Sequence, residues 1–274
     1  MTSMTAPSAA RATMPRSFAR RVRRWSGGLL IVAILVVWEL WTVVANVPPY
    51  LLPAPSRIAG AMAAASGTIA GQLAITLFEA LAGFALGSLT AILLSIAVLR
   101  SRTFEVTALP PIMVLQSVPI VAITPVIALA IGRTWFTAVV ISAIICFFPV
   151  MVNAVRGLRS VSDESLELMH VLDASGQQEL RKLRLPASLP YLFTGLRVAA
   201  TICFPGAMIA EWLTAARGLG YYIVDMQVRY RTDLVWAGLV TATLTGVVLF
   251  TIVTLVERRA VRWHDSDSSL EGSV

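Results

Sequence analysis

Charge is scarce in this chain: 14% of its 274 residues are Asp, Glu, Lys or Arg, against roughly 25% in an ordinary soluble domain. Lysine is nearly absent. Lys182 is the single one, and its neighbours Arg181 and Leu183 exclude the Gly-Lys-Ser/Thr that a phosphate-cradling P-loop requires. The two cysteines, Cys146 and Cys203, fall far apart inside apolar runs, which excludes a disulfide framework. The two histidines, His170 and His264, lack companions at ligand spacing, so no metal site is read. No Ser/His pair, acidic dyad or histidine cluster lies within the apolar runs, which argues against an intramembrane enzyme. What the chain does have is hydrophobicity: 57% of it is apolar and its mean hydropathy is +0.78, more than a soluble core of this length hides.

The formal charge of +7 comes from 22 Lys and Arg against 15 Asp and Glu. In a soluble protein that excess would point to nucleic acid. Here the basic residues stand at the ends of apolar runs, where lipid headgroups and the topology rule account for them without a nucleic-acid partner. A bilayer core requires about 20 apolar residues of a helix. Six such runs are read, at about 29–45, 73–99, 105–131, 135–155, 191–212 and 234–256. The sequence therefore predicts an all-α integral membrane protein with about six transmembrane helices over 29–263, between a basic tail at 1–28 and a polar one at 264–274. Only Gly132-Arg133-Thr134 separates the third run from the fourth, enough for a tight turn. Pro110, Pro111, Pro119 and Pro125 are tolerable kinks in a helix packed among others.

Six spans place sixteen of the basic residues on the face shared with both termini and five (Arg57, Arg133, Arg217, Arg229 and Arg231) on the other. The positive-inside rule then puts both termini in the cytoplasm. The first run follows the cluster Arg20-Arg21-Val22-Arg23-Arg24 as a signal peptide would, but it exceeds the usual apolar region of about 7–15 residues and precedes further spans, so it reads as a retained anchor. Glu39, between Trp38 and Trp41, reads either as a substrate or proton site or as a glutamate paired within the bundle. Arg197 reads either as a contact for an anionic substrate or as a structural, snorkelling arginine. Glu79 and Glu211 are expected near the outer face, solvated or paired. Gly83 and Gly87 form a Gly-x-x-x-Gly suited to close helix approach.

The connection 156–190 is the one long loop on the basic face. Ser162-Asp163-Glu164-Ser165 offers an N-cap and acidic first-turn residues, and Leu166, Leu168, Met169 and Leu172 recur at helical spacing. Ser175-Gly176 breaks that short amphipathic helix. Gln177 to Leu185 reads as a second one, ended by Pro186, with Asp173 placed to cap it.

At these residues the sequence resembles the permease subunits of bacterial ABC importers, whose loop carries the EAA motif. Glu167-Leu168-Met169-His170-Val171-Leu172-Asp173-Ala174-Ser175 occupies its first part and Leu185-Pro186 its second. Leu168 and Met169 stand for the two alanines and Asp173 for the glycine. Leu51-Leu52-Pro53-Ala54-Pro55-Ser56, Thr194-Gly195-Leu196-Arg197-Val198-Ala199 and the stretch from Ala210-Glu211 to Gly218-Leu219-Gly220 are similar to one branch, the permeases for nitrate, taurine and aliphatic sulfonates.

That resemblance implies a type I importer-like permease in a bacterial cytoplasmic membrane. It implies a homodimer working with two ABC ATPase subunits, which hold ATP and Mg, and with an extracytoplasmic substrate-binding protein. The chain itself would bind no cofactor and catalyse nothing. Coupling to the ATPase would fall on Glu167, Leu168, Leu172, Asp173, Ala174, Ser175 and Pro186. The translocation path would involve Pro119, Pro125, Arg197 and Glu211. The alternative is a stand-alone secondary transporter or channel, which would want ionisable groups at mid-membrane for ion coupling and finds at most Glu39.

Overall fold

The computed structural model describes residues 16–214 and 217–260. The polar ends 1–15 and 261–274, with Arg11, Arg262, Trp263 and His264, lie outside the described residues, as do Ala215 and Ala216. Every regular element within them is helical: α1 (Arg16–Val44), α2 (Pro55–Ala64), α3 (Ser66–Arg100), α4 (Arg102–Leu115), α5 (Ile120–Ile131), α6 (Trp135–Leu158), α7 (Asp163–Val171), α8 (Gly176–Glu179), a π turn (Leu180–Arg184), α9 (Leu185–Thr214), α10 (Leu219–Val228) and α11 (Thr232–Ala260). Among the described residues four helices are long and apolar enough to cross a membrane: α3, α6, the continuous helix Gly176–Thr214 and α11. Helix α1 begins at Arg16, so the basic cluster assigned to a tail has helical backbone.

The third expected span is not one helix. Residues 105–131 divide into α4, of 14 residues, and α5, of 12, each shorter than the roughly 20 residues a hydrocarbon core demands. The break falls where Pro119, with an extended backbone (ψ 121°), pushes Val118 before it away from helical conformation. Pro110 and Pro111 inside α4 and Pro125 inside α5 leave their helices unbroken.

Helices α3, α6 and α9 form the centre, where close approach replaces the hydrophobic drive that lipid removes. Gly83 and Gly87 of α3 lie against Ser142 and Ala143 of α6, and Gly195 of α9 against Pro149 and Val150. Ser142, fully buried, donates its hydroxyl hydrogen to the Cys203 carbonyl at 3.0 Å, tying α6 to α9. Helix α1 stands at the margin with most of its apolar side chains exposed. It meets the bundle through Trp38, whose ring centroid lies 5.1 Å from that of Trp236. Glu39 accepts hydrogen bonds from the backbone N–H and the hydroxyl of Ser56, at 2.9 and 2.7 Å, and so completes the start of α2 with a carboxylate where the helix dipole favours one. That is the pairing role of the two open for Glu39.

Candidate functional site

Helix α7 stands off the bundle and buries none of its residues. Ser162 caps it by accepting the N–H of Ser165, and Asp163 and Glu164 occupy its positive end. Its apolar residues separate into two groups. Leu166 and Met169 are half-buried, whereas Leu168, Val171 and Leu172 are 59%, 83% and 67% exposed. Three large apolar side chains on one turn of a projecting helix, beside the exposed Glu167, make an unpartnered face.

Two expectations for this loop are corrected. Asp173 does not cap the second helix: Ser175 does, in a reciprocal pair with Gln178. Asp173 instead adopts φ +51°, the left-handed conformation in which aspartate costs less than most residues and glycine least. The chain therefore reverses at the position where the EAA pattern has its glycine. Asp173→Gly is expected to be neutral or slightly stabilising, and Asp173→Val to destabilise the loop locally by about 1–2 kcal/mol. Hydrogen exchange of residues 163–176 measures both. Pro186, for its part, does not end the second helix, which runs unbroken from Gly176 to Thr214. The irregularity that a proline without N–H imposes is absorbed just before it, where Leu185 donates to the Leu180 carbonyl five residues back. Arg184 secures this turn, donating to Glu179 at 2.6 Å and to the Leu158 carbonyl at 3.0 Å. Of the loop residues expected to act together, Ala174 is half-buried while Glu167, Leu168, Leu172, Asp173 and Ser175 face out.

A second feature is a cavity of about 740 Å³ between the α4–α5 link, α6 and α9. Its walls are mainly apolar, with Ile144, Ile145 and Phe148 among them, and its polar lining is Gln116, Ser117, Asn153 and Arg156. Along α6 the lining positions 145, 149, 152, 153 and 156 share one face of the helix, grading from isoleucine to arginine toward the loop. Pro119 lines this groove. Pro125 does not, but lies exposed on α5. Arg197 lies elsewhere, paired with Glu257 between α9 and α11. Sequence reasoning missed Asn153 and Arg156. The available signal was their spacing from Pro149, one and two turns down the same helix face.

Glu211 belongs to a third place, and of the two states expected for Glu79 and Glu211, solvated or paired, the solvated one is overturned. They are 2% and 0% exposed. Glu211 accepts the Thr76 hydroxyl hydrogen at 2.6 Å and the Gly220 N–H at 2.6 Å. Thr76 in turn accepts the Leu219 N–H at 2.7 Å, and Gln72 accepts that of Gly218 at 2.7 Å. The N–H groups of Gly218, Leu219 and Gly220 at the start of α10, which a helix leaves without partners of its own, are thus met by side chains of α3 and α9. At Gly218 the Glu211 carboxylate fills the space of a Cβ, 2.0 Å from where it would stand, and at Gly220 the Met208 carbonyl oxygen, at 2.5 Å, and the same carboxylate, at 2.8 Å, do so together. Glu79 packs against Glu211, so the fold brings together two acids of the apolar runs in which the sequence showed no acidic dyad; Glu79 Oε2 is unpartnered among the described residues. Among those residues no group of three or more His, Cys, Asp or Glu could hold a metal ion.

Residues 83–262 match the family described as the binding-protein-dependent transport system inner membrane component. The putative aliphatic sulfonates transport permease protein SsuC of Bacillus subtilis is 30% identical over 93% of this chain and 96% of its own length. The riboflavin transport system permease protein RibX of Chloroflexus aurantiacus is 31% identical over 86% and 89%. The taurine transport system permease protein TauC of Escherichia coli is 28% identical over 85% and 88%. An all-helical membrane bundle with a projecting loop helix and an internal groove is what such a component requires, and this chain belongs to the binding-protein-dependent transport system inner membrane components, the permeases of ABC importers.

Proposed function

We propose that this chain forms the translocation path of an ATP-driven importer for a small organic anion, taurine or an alkanesulfonate being the nearest candidates. It works as a homodimer with two ATPase subunits, which hold ATP and Mg, and an external binding protein. The observation that carries this is the exposed triad Leu168, Val171 and Leu172 on a helix clear of the bundle, in a chain with no P-loop of its own. Such a face fits a cleft on a partner as apolar anchors laid into a groove. Rocking of that partner would pass through the 39-residue helix Gly176–Thr214 as rigid-body motion. The groove between α5, α6 and α9 is the path. Its one charged lining residue is the cation Arg156, which supports an anionic solute, and two relatives are named for sulfonates and taurine. Arg100, Arg102, Arg159, Arg181, Lys182 and Arg184 gather around the loop, which supports placing that end, with both termini, in the cytoplasm.

The test is the double variant Leu168→Asp, Leu172→Asp. Burying each leucine contributes about 1.5–3 kcal/mol, and a carboxylate left in the same contact adds a desolvation cost. Affinity for the co-expressed ATPase is therefore expected to fall at least ~100-fold, read by co-purification in mild detergent. Because Leu168 and Leu172 are exposed on the chain itself, membrane insertion and dimer formation should be unchanged. Normal ATPase retention and substrate-stimulated hydrolysis in the double variant would refute this coupling face.

A further inference from the structure

The cavity of about 740 Å³ has one ionised lining residue and a graded wall. Among the basic residues at the loop end, Arg156 is the one that lines the groove. Arg102 and Arg159 pair with Glu105, Arg184 with Glu179 and Arg197 with Glu257. Like Arg100, Arg181 and Lys182, Arg156 has no ion pair among the described residues, and it is exposed. One turn back along α6, the Asn153 amide donates one hydrogen to the Pro149 carbonyl at 2.8 Å, which orients the side chain and leaves its second amide hydrogen free for the groove. Gln116 and Ser117 face this pair from the α4–α5 link, adding uncharged donors and no competing carboxylate. The apolar walls, Ile144, Ile145 and Phe148 from α6 and Ile202 from α9, lie beyond them.

We infer that Arg156, assisted by Asn153, is the residue that selects the anionic head of an organic solute at the loop-end mouth of the groove, while the isoleucine and phenylalanine walls take its apolar body. This rests on reading the groove as the translocation path. A guanidinium suits a sulfonate or carboxylate because its fork of donors meets two oxygens at once. A single cation facing uncharged donors holds such a head weakly enough to release it, as a path requires and a storage site does not. Arg197, which the sequence left open between an anion contact and a structural role, is already paired with Glu257.

The assembled complex in phosphatidylcholine vesicles tests this with Val152→Cys, one turn from Arg156 on the groove wall. The fully buried Cys146 and Cys203 of the parent chain give the blank. The thiol is reacted with an anionic methanethiosulfonate bearing an ethylsulfonate and with its cationic trimethylammonium counterpart, each rate normalised to that with 2-mercaptoethanol. The anionic reagent is expected to be favoured by roughly ten-fold. The preference should vanish in Val152→Cys with Arg156→Gln and return with Arg156→Lys, and millimolar ethanesulfonate should slow the reaction only where the cation is present. Parity of the two reagents with Arg156 in place, or a preference that survives Arg156→Gln, overturns the assignment to Arg156 while leaving the path standing. A thiol that neither reagent reaches, yet that reacts fully after denaturation, overturns the path reading and the inference with it.

Discussion

Glu211→Ala is expected to release α10 from the bundle and lower the melting temperature of the detergent-solubilised chain. The variant leaves the Gly220 N–H without its acceptor and the Thr76 hydroxyl hydrogen with only the longer contact to the Gln72 carbonyl, 3.3 Å. The stranded N–H costs about 1–3 kcal/mol and the weakened Thr76 bond adds to it, a sizeable part of the roughly 5–15 kcal/mol that holds a typical domain folded. The damage spreads, because Thr76 also receives the Leu219 N–H and is positioned by donating to Glu211. Glu211→Gln should cost less: it keeps the shape and one acceptor oxygen but turns an N–H toward one of two donors. Gly218→Ala should approach the alanine variant from the other side. Its φ of +101° disfavours any side chain, and its Cβ would stand 2.0 Å from Glu211 Oε1. Thermal melts, with limited proteolysis read at residues 217–230, measure all three. A Glu211→Ala chain that melts with the parent and resists protease equally would show that these hydrogen bonds do not hold α10.

Much of this architecture was legible because hydropathy is additive along a chain. The runs 73–99, 135–155, 191–212 and 234–256 are apolar residue by residue, and each lies within or nearly coincides with a long helix. The same additivity hid the break in 105–131. A hydropathy sum does not register that Val118 precedes a proline, although that local clash divides α4 from α5. Helix α10 was missed for a different reason. Nothing local to Gly218-Leu219-Gly220 signals that its amides are held by Gln72 and Thr76, 146 and 143 residues away in sequence. In the loop, the departure of Asp173 from glycine was visible as a difference, but its meaning required φ, since only a left-handed backbone makes aspartate a tolerable substitute.

Arg156 and Arg197 show where sequence reading of the site reached its end. Both are basic residues near one end of apolar helices, and periodicity alone gives no reason to prefer either. What separates them is rotation about the helix axis, about 100° per residue, and an apolar helix surrounded by lipid and other helices does not reveal which way its sides face. Packing decides it: α9 turns Arg197 toward Glu257 of α11, and α6 turns Arg156 into the groove. The expected Gly-x-x-x-Gly of Gly83 and Gly87, by contrast, carries its own orientation, because a surface without side chains is where a second helix comes closest.

That seam supports the other large expected effect. A Cβ on Gly87 would stand 2.3 Å from the backbone carbonyl oxygen of Ala143, and one on Gly83 2.5 Å from Ser142 Cβ and 2.7 Å from the Val139 oxygen. Neither obstacle is the free end of a flexible side chain, so α3 and α6 must part. Overpacking of this kind costs about 1–3 kcal/mol for Gly87→Ala, and Gly87→Leu should exceed it and lower the yield of folded chain. Gly67 and Gly71 on the same helix have open space where a Cβ would go, so Gly71→Ala and Gly71→Leu serve as matched controls and should melt with the parent. The seam also bears on the path. Ser142, which faces Gly83 across the contact, holds the Cys203 carbonyl of α9, and α6 and α9 both line the groove. Wedging α3 away should therefore move the groove wall as well as weaken the bundle. In Gly87→Ala, the milder variant, thiol access at position 152 is expected to rise along with the fall in melting temperature. If Gly87→Leu melts with Gly71→Leu, the close approach of α3 to α6 contributes nothing to stability; if Gly87→Ala melts low with thiol access unchanged, the seam holds the bundle without setting the groove.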